Sequence, residues 1–141
     1  MNTYDLSRYT KMHKLDFNTA LSEIKSGKKR SHWMWYIFPQ IQGLGISSTS
    51  QYYAIQNLEE AKAFLADSYL GNNLLTICRA LLALDSNNPS EIFGYPDDMK
   101  LCSSMTLFSC ACDDEVFPMV LDKFFDGKKD DKTLKLLGLQ E

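Results

Sequence analysis

The segment Ser31-His32-Trp33-Met34-Trp35-Tyr36-Ile37-Phe38-Pro39-Gln40 holds both tryptophans of the chain and one of its two histidines. An imidazole exchanges protons near neutral pH, an indole stacks on a flat ligand, and a glutamine amide both donates and accepts hydrogen bonds. Immediately before the segment stand Lys28, Lys29 and Arg30. Cations, a serine hydroxyl and the free N–H groups of a helix start together suit an anion or a phosphate. The candidate ligand contacts of this region are therefore Lys29, Arg30, Ser31, Trp35 and Gln40, with His32 as an acid–base candidate.

A second group lies at Pro96-Asp97-Asp98-Met99-Lys100. On a helix, Asp97, Lys100 and Ser104 share a strip beside the apolar face of Leu101, Met105 and Phe108. Carboxylate, ammonium and hydroxyl on one strip can bind a polar ligand or carry out acid–base work. Asp98 turns toward the apolar face; buried there, it needs a partner, for which Arg30, Lys100 or His32 would serve. Asp97 and Asp98 join His32 as catalytic candidates, and Lys100 and Ser104 join the ligand contacts.

Each group also has a purely structural reading. A segment that is apolar nearly all round is the mark of a buried helix, and an acidic pair at a helix start is normally a cap with dipole compensation. His13 and His32 form no His-Glu-x-x-His pattern, and Cys110 and Cys112 would point to different sides of a helix. No metal and no cofactor is expected. Neither a Gly-x-Ser-x-Gly elbow nor a phosphate loop is present; Gly43-Leu44-Gly45 either makes a turn or lets a ligand or backbone approach Gln40 closely.

The elements that must position these residues are helical. Phe17, Ala20, Leu21 and Ile24 recur at helical spacing between Asp16 as cap and Gly27 as stop. The aromatic segment reads as a helix from Ser31, its N-cap, to Phe38, ended by Pro39. Ser47 or Ser48 caps a short helix through Tyr52-Tyr53-Ala54, and Asn57 caps the next, carrying Leu58, Ala61, Phe64 and Leu65. The longest pattern runs from Asp67 to Leu84, with Leu70, Leu74, Ile77, Cys78 and Leu81 as its buried stripe. A short turn at Ser90 to Gly94 precedes a long helix from Asp97 to Cys112. Asp113 or Asp114 caps a helix with Val116, Val120, Leu121 and Phe124, and Asp130 or Asp131 caps a last one. Almost nothing alternates with period two. The prediction is all-α: a single compact domain over residues 1–141 with about seven to nine helices, several of them short.

The bulk numbers agree. The 141 residues are 45% hydrophobic and 23% charged, an ordinary globular composition. The net charge of −3 argues against nucleic acid as a partner, since coating it takes a basic surplus. No signal-peptide pattern and no run long enough to span a bilayer is present, so a cytoplasmic protein that binds no membrane is expected. Its four cysteines are expected to be thiols.

The stretch from Lys29 to Gln40 resembles the signature of the domain of unknown function 1810 family. So do Gly43-Leu44-Gly45-x-Ser47, Tyr53-Ala54-Ile55 with Glu60-Ala61, and the block from Ile92 to Phe108 around Pro96-Asp97-Asp98-x-Lys100-Leu101. The likeness covers nearly the whole chain. It implies a small, all-helical, soluble protein and no established activity. Some members carry the label calpastatin; an inhibitor of that type would be disordered, and this composition is not. The chain departs from the family at Asp67-Ser68, where members usually have His-Pro, and at Cys102, Cys110 and Cys112; Asp67 can fill the helix-capping role.

Two functions of different kind follow. In the first, the domain binds a small planar anionic, nucleotide-like ligand in an aromatic, polar-rimmed pocket. Its enzyme version, hydrolysis of a nucleotide or ADP-ribose derivative, rests on analogy with another small helical superfamily that handles ADP-ribose-type N-glycosides. In the second, the aromatic block is only core and the surface binds a protein partner, whose identity the sequence does not give. A pocket bordered by the aromatics within reach of Asp97 or Lys100 separates the two.

Overall fold

The computed structural model describes residues 4–139, and among them nine helices and no strand are found. In chain order these are α1 (Ser7–Lys25), α2 (Met34–Ile37), α3 (Ser48–Tyr53), α4 (Leu58–Ala66), α5 (Ser68–Leu82), α6 (Pro89–Phe93), α7 (Asp97–Ala111), α8 (Val116–Phe125) and α9 (Asp131–Leu136). The starts follow from local chemistry. Ser47, Asn57, Asp67, Asn88 and Asp130 each sit in extended backbone and accept a hydrogen bond from an N–H of the first turn that follows, which satisfies donors the helix itself cannot. At the start of α8 the Asp114 carboxylate accepts from Val116 N–H at 2.9 Å.

α7 is the axis of the molecule. Its residues Leu101 to Phe108 are all buried, and α4, α6, α8 and α9 pack against it. Polar residues in such a helix must find partners nearby. Ser103 and Thr106 donate to the carbonyls of Met99 and Cys102, one turn back. α5 fills the space between α1, α4 and α8 and presents Leu70, Leu74, Ile77, Cys78 and Leu81 as its buried stripe. Gly71 lies where α5 meets the end of α4: a Cβ there would stand 2.2 Å from the backbone carbonyl oxygen of Leu65.

Two expectations about elements are corrected. α1 begins at Ser7, not after Asp16. Tyr9, His13 and Phe17 continue its buried face toward the N-terminus at four-residue spacing, but two of the three carry polar groups and so do not read as an apolar stripe. The aromatic segment is not a helix from Ser31 to Phe38. Only Met34–Ile37 is helical, and Ser31 caps nothing. The centre of the core is α7 instead.

Candidate functional site

The aromatic segment is fixed from two sides. Glu23, on the buried face of α1, accepts hydrogen bonds from the N–H groups of Arg30 (2.8 Å) and Ser31 (3.0 Å), from the Ser31 hydroxyl (2.6 Å) and from the Trp33 indole N–H (2.9 Å). Burial alone would raise its pKa; the hydrogen bonds outweigh that and hold the carboxyl at about 2. The Ser31 hydroxyl and the main-chain N–H groups expected to bind an external anion are thus occupied by the protein's own carboxylate. They also keep residues 30–32 out of the helix, which is why α2 starts late.

On the other side, His13 is buried and both ring nitrogens are bonded: Nε2 to the Tyr36 carbonyl at 2.8 Å and Nδ1 to the Asn73 amide at 3.1 Å. A carbonyl can only accept and an amide N–H only donate, so the neutral tautomer carries its proton on Nε2. Burial lowers the His13 pKa, as that tautomer requires. The Tyr36 hydroxyl donates to Asp16; burial first, then this bond and the carboxylate charge, push the phenol pKa upward. Trp33 is sealed between Phe38 and Phe93, at ring separations of 6.1 and 6.4 Å.

Trp35 alone of the two tryptophans faces out. It walls a groove of about 930 Å³ whose floor and sides are residues 40–47, the α3 residues Ser50, Gln51 and Tyr53, then Ala54 and Gln56, with Lys100 from α7 and Leu136 from α9. The loop is held by the isolated parallel bridge Ile41–Ile55, by Gln42 Nε2 donating to Gln56 O at 3.1 Å and by Gln51 Nε2 donating to Ile46 O at 2.9 Å. Gly43 has φ +101°, open to glycine, and a Cβ at Gly45 would stand 2.4 Å from Ser50 Oγ.

From Trp35 a row of charges runs along the start of α7. Lys100 Nζ lies 5.5 Å from the Trp35 ring centroid and 3.4 Å from Asp97 Oδ1. Asp97 Oδ2 is 2.9 Å from Lys29 Nζ, which also donates to Ser31 O at 2.5 Å and lies 5.1 Å from the Trp33 ring centroid.

The structure thus brings Trp35, Gln40 and Lys100 together in the groove wall, with Asp97 and Lys29 one and two ion pairs behind. It does not bring the others there. His32 is exposed and its ring has no partner among the described residues. Arg30 is exposed as well. Asp98 is buried, and its partners are the Ser90 hydroxyl (2.8 Å) and the Met99 N–H (2.8 Å) rather than a cation. Ser104 is fully buried, and its hydroxyl has no partner among the described residues. The strip of Asp97, Lys100 and Ser104 therefore borders the groove only at Lys100, with Asp97 one ion pair behind it, because α7 is enclosed from Leu101 onward.

Glu23 and most of the groove wall were missed from sequence. Glu23 left a signal, since it sits three residues after Ala20 and beside Ile24 on the buried face. Gln42, Ser50, Gln56 and Leu136 left none, because loop closure and a distant helix bring them together. Among the described residues no three His, Cys, Asp or Glu side chains converge as metal ligands, and no helix is long and apolar enough to cross a membrane.

Comparison with known proteins places this geometry in a family. The model of the family described as "Protein of unknown function (DUF1810)" matches residues 3–137. Among solved structures, the conserved hypothetical protein Rv1873 from Mycobacterium tuberculosis is 39% identical and superposes with a TM-score of 0.95, over 99% of this chain and 100% of that one. No match is found among curated proteins. Neither description states an activity.

Proposed function

The chain belongs to the DUF1810 family of proteins of unknown function, and for this member we propose that the groove beside Trp35 binds a small planar molecule carrying an anionic group. The observation that carries the proposal is the placement of an outward-facing indole and an ammonium 5.5 Å apart in one concave wall. Lys100 Nζ stands over the Trp35 ring, so a flat ring packed against the rest of the indole brings its charged substituent beside the ammonium. The volume of about 930 Å³ falls within the roughly 300–1,000 Å³ usual for small-ligand sites.

Charge supports the same ligand. Lys100 is the one charged side chain in the groove wall among the described residues. Behind it Lys29, Asp97 and Lys100 make two cations to one anion, so the row keeps one positive charge to offer. Gln40, whose side-chain amide has no partner among the described residues, adds a donor and an acceptor on the same wall.

The role is binding rather than hydrolysis. Among the described residues no carboxylate or imidazole lines the groove, and both Asp97 oxygens are already held by ammonium groups, Oδ2 by Lys29 and Oδ1 by Lys100. Ile46, 93% exposed on the groove rim, is the observation that favours the rival reading of a protein-contact surface.

The test is a thermal-shift and calorimetric screen against nucleotides and aryl phosphates, since a ligand that binds only the folded state raises the unfolding midpoint. Trp35→Ala and Lys100→Ala should each weaken a binding member of the panel by about ten-fold or more. Lys62→Ala, remote from the groove, should change nothing. No midpoint shift with any compound, or undiminished binding by both groove variants, rejects the proposal.

A further inference from the structure

We infer that the planar part of this ligand presents a hydrogen-bonding edge, that of a nucleobase or a comparable cyclic amide, and that the backbone of Ile41 reads it. The inference rests on the groove as the binding site and names the chemical class it takes.

Ile55 N–H donates to Gln40 O at 2.8 Å, and Gln42 N–H donates to Ile55 O at 2.8 Å. In a parallel pairing of this kind the residue between the two bonds turns its own N–H and C=O to the opposite edge. That residue is Ile41. Neither its N–H nor its C=O bonds to another described residue, although Ile41 is only 3% exposed and lines the groove. Buried main-chain groups without a partner are rare, and leaving them so costs about what a lost hydrogen bond costs. A ligand that returns an acceptor and a donor side by side relieves both at once.

The chemistry that does so is restricted. An aryl phosphate or aryl carboxylate offers a ring for Trp35 and a charge for Lys100 but nothing for Ile41. Adenine and uracil carry neighbouring donor and acceptor atoms on one edge of a flat ring. An extended peptide also presents such a pair, but strand addition draws its strength from a run of alternating residues along a sheet edge. Here the pairing is a single isolated bridge, which favours a small ring over a strand.

The experiment compares adenosine monophosphate, uridine monophosphate, N3-methyluridine monophosphate and phenyl phosphate at one ionic strength. Calorimetry gives the affinities, and amide NMR spectra of the full chain follow Ile41. At least one unmodified nucleotide should bind about ten-fold more tightly than phenyl phosphate, as one or two net hydrogen bonds predict. It should also move the Ile41 amide resonance, and N-methylation should remove any gain that uridine monophosphate has. Nucleotides and phenyl phosphate binding equally in the groove would overturn the Ile41 inference and leave the groove reading standing. Binding by none of the four would overturn both. An extended peptide that moves the Ile41 resonance when the nucleotides do not would replace the base edge with strand addition.

Discussion

Glu23→Gln tests how the aromatic segment is held. The substitution keeps the shape of the side chain, removes its charge and turns one acceptor oxygen into a donor. The amide oxygen can take the place of Oε1, which accepts from two N–H groups and the indole, while the new donor stands at Oε2 and faces the Ser31 hydroxyl, which must turn from donor to acceptor. A carboxyl held at about 2 instead of 4.5 corresponds to roughly 3 kcal/mol of stability at neutral pH. The surrounding loop is partly solvated, so screening brings the expected contribution to about 2 kcal/mol. The sign is set by the lowered pKa: the contribution is present in full above the unfolded value of 4.5 and is lost as pH falls toward about 2. Urea denaturation followed by tryptophan fluorescence between about pH 2 and pH 7 measures it directly. At neutral pH the variant should be less stable by about 2 kcal/mol, because a neutral amide oxygen accepts more weakly than a carboxylate. Taking the difference between the two proteins cancels other carboxylates, and that difference should shrink through the acid range. A difference that is flat from pH 7 to pH 2, or a variant as stable as the parent at pH 7, refutes the reasoning.

Other consequences can be measured on the same protein. Gly71→Ala should lower stability by about 2 kcal/mol or more in thermal denaturation, because its Cβ would meet the Leu65 carbonyl oxygen at 2.2 Å and backbone cannot swing away. Ser104→Ala should be neutral or stabilising by about 1 kcal/mol in denaturant titration, since it deletes a buried hydroxyl that has no partner among the described residues; a loss above about 2 kcal/mol would contradict that account. Burial raises the pKa of Cys78 and lifts Cys102 to about 11, so at pH 8 a thiol reagent should modify neither in the folded protein and both after unfolding. Peptide mapping of the labelled cysteines reads the outcome.

What could be read from sequence followed from how local each cause was. Ser47, Asn57, Asp67 and Asp130 act on N–H groups two or three residues away, so their residue types sufficed. Asp67 in particular fills the capping role expected of it. The stripe of α5 was equally legible, because its partners are apolar whichever helices supply them. The aromatic segment was misread because its conformation is set from outside: Glu23 in α1 takes the N–H groups that a helix from Ser31 would have to leave free. Asp98 found Ser90 rather than a cation, because the short α6 before it brings the hydroxyl close. The groove depends on residues from Trp35 to Leu136, so only those beside a sequence landmark, Trp35, Gln40 and Lys100, could be named in advance.

α7 has a mechanical consequence for the groove. The chain leading into α9 is moored to it: Asp130 N–H donates to Thr106 Oγ at 2.8 Å, Ser103 Oγ donates to Asp130 at 3.2 Å, and Cys102 Sγ lies 3.6 Å from Lys128 O. A helix enclosed over eight consecutive residues exchanges its amide hydrogens only when the whole fold opens. Leu136, at the far wall of the groove, and Lys100, on its near side, are therefore anchored to the slowest-exchanging element of the molecule. The opposite wall, residues 40–47, hangs on one bridge, two glutamine amides and the Ser47 cap on the short α3. When the groove breathes, the loop moves and the two helices stay, so slowed hydrogen exchange on ligand binding should concentrate in residues 40–47.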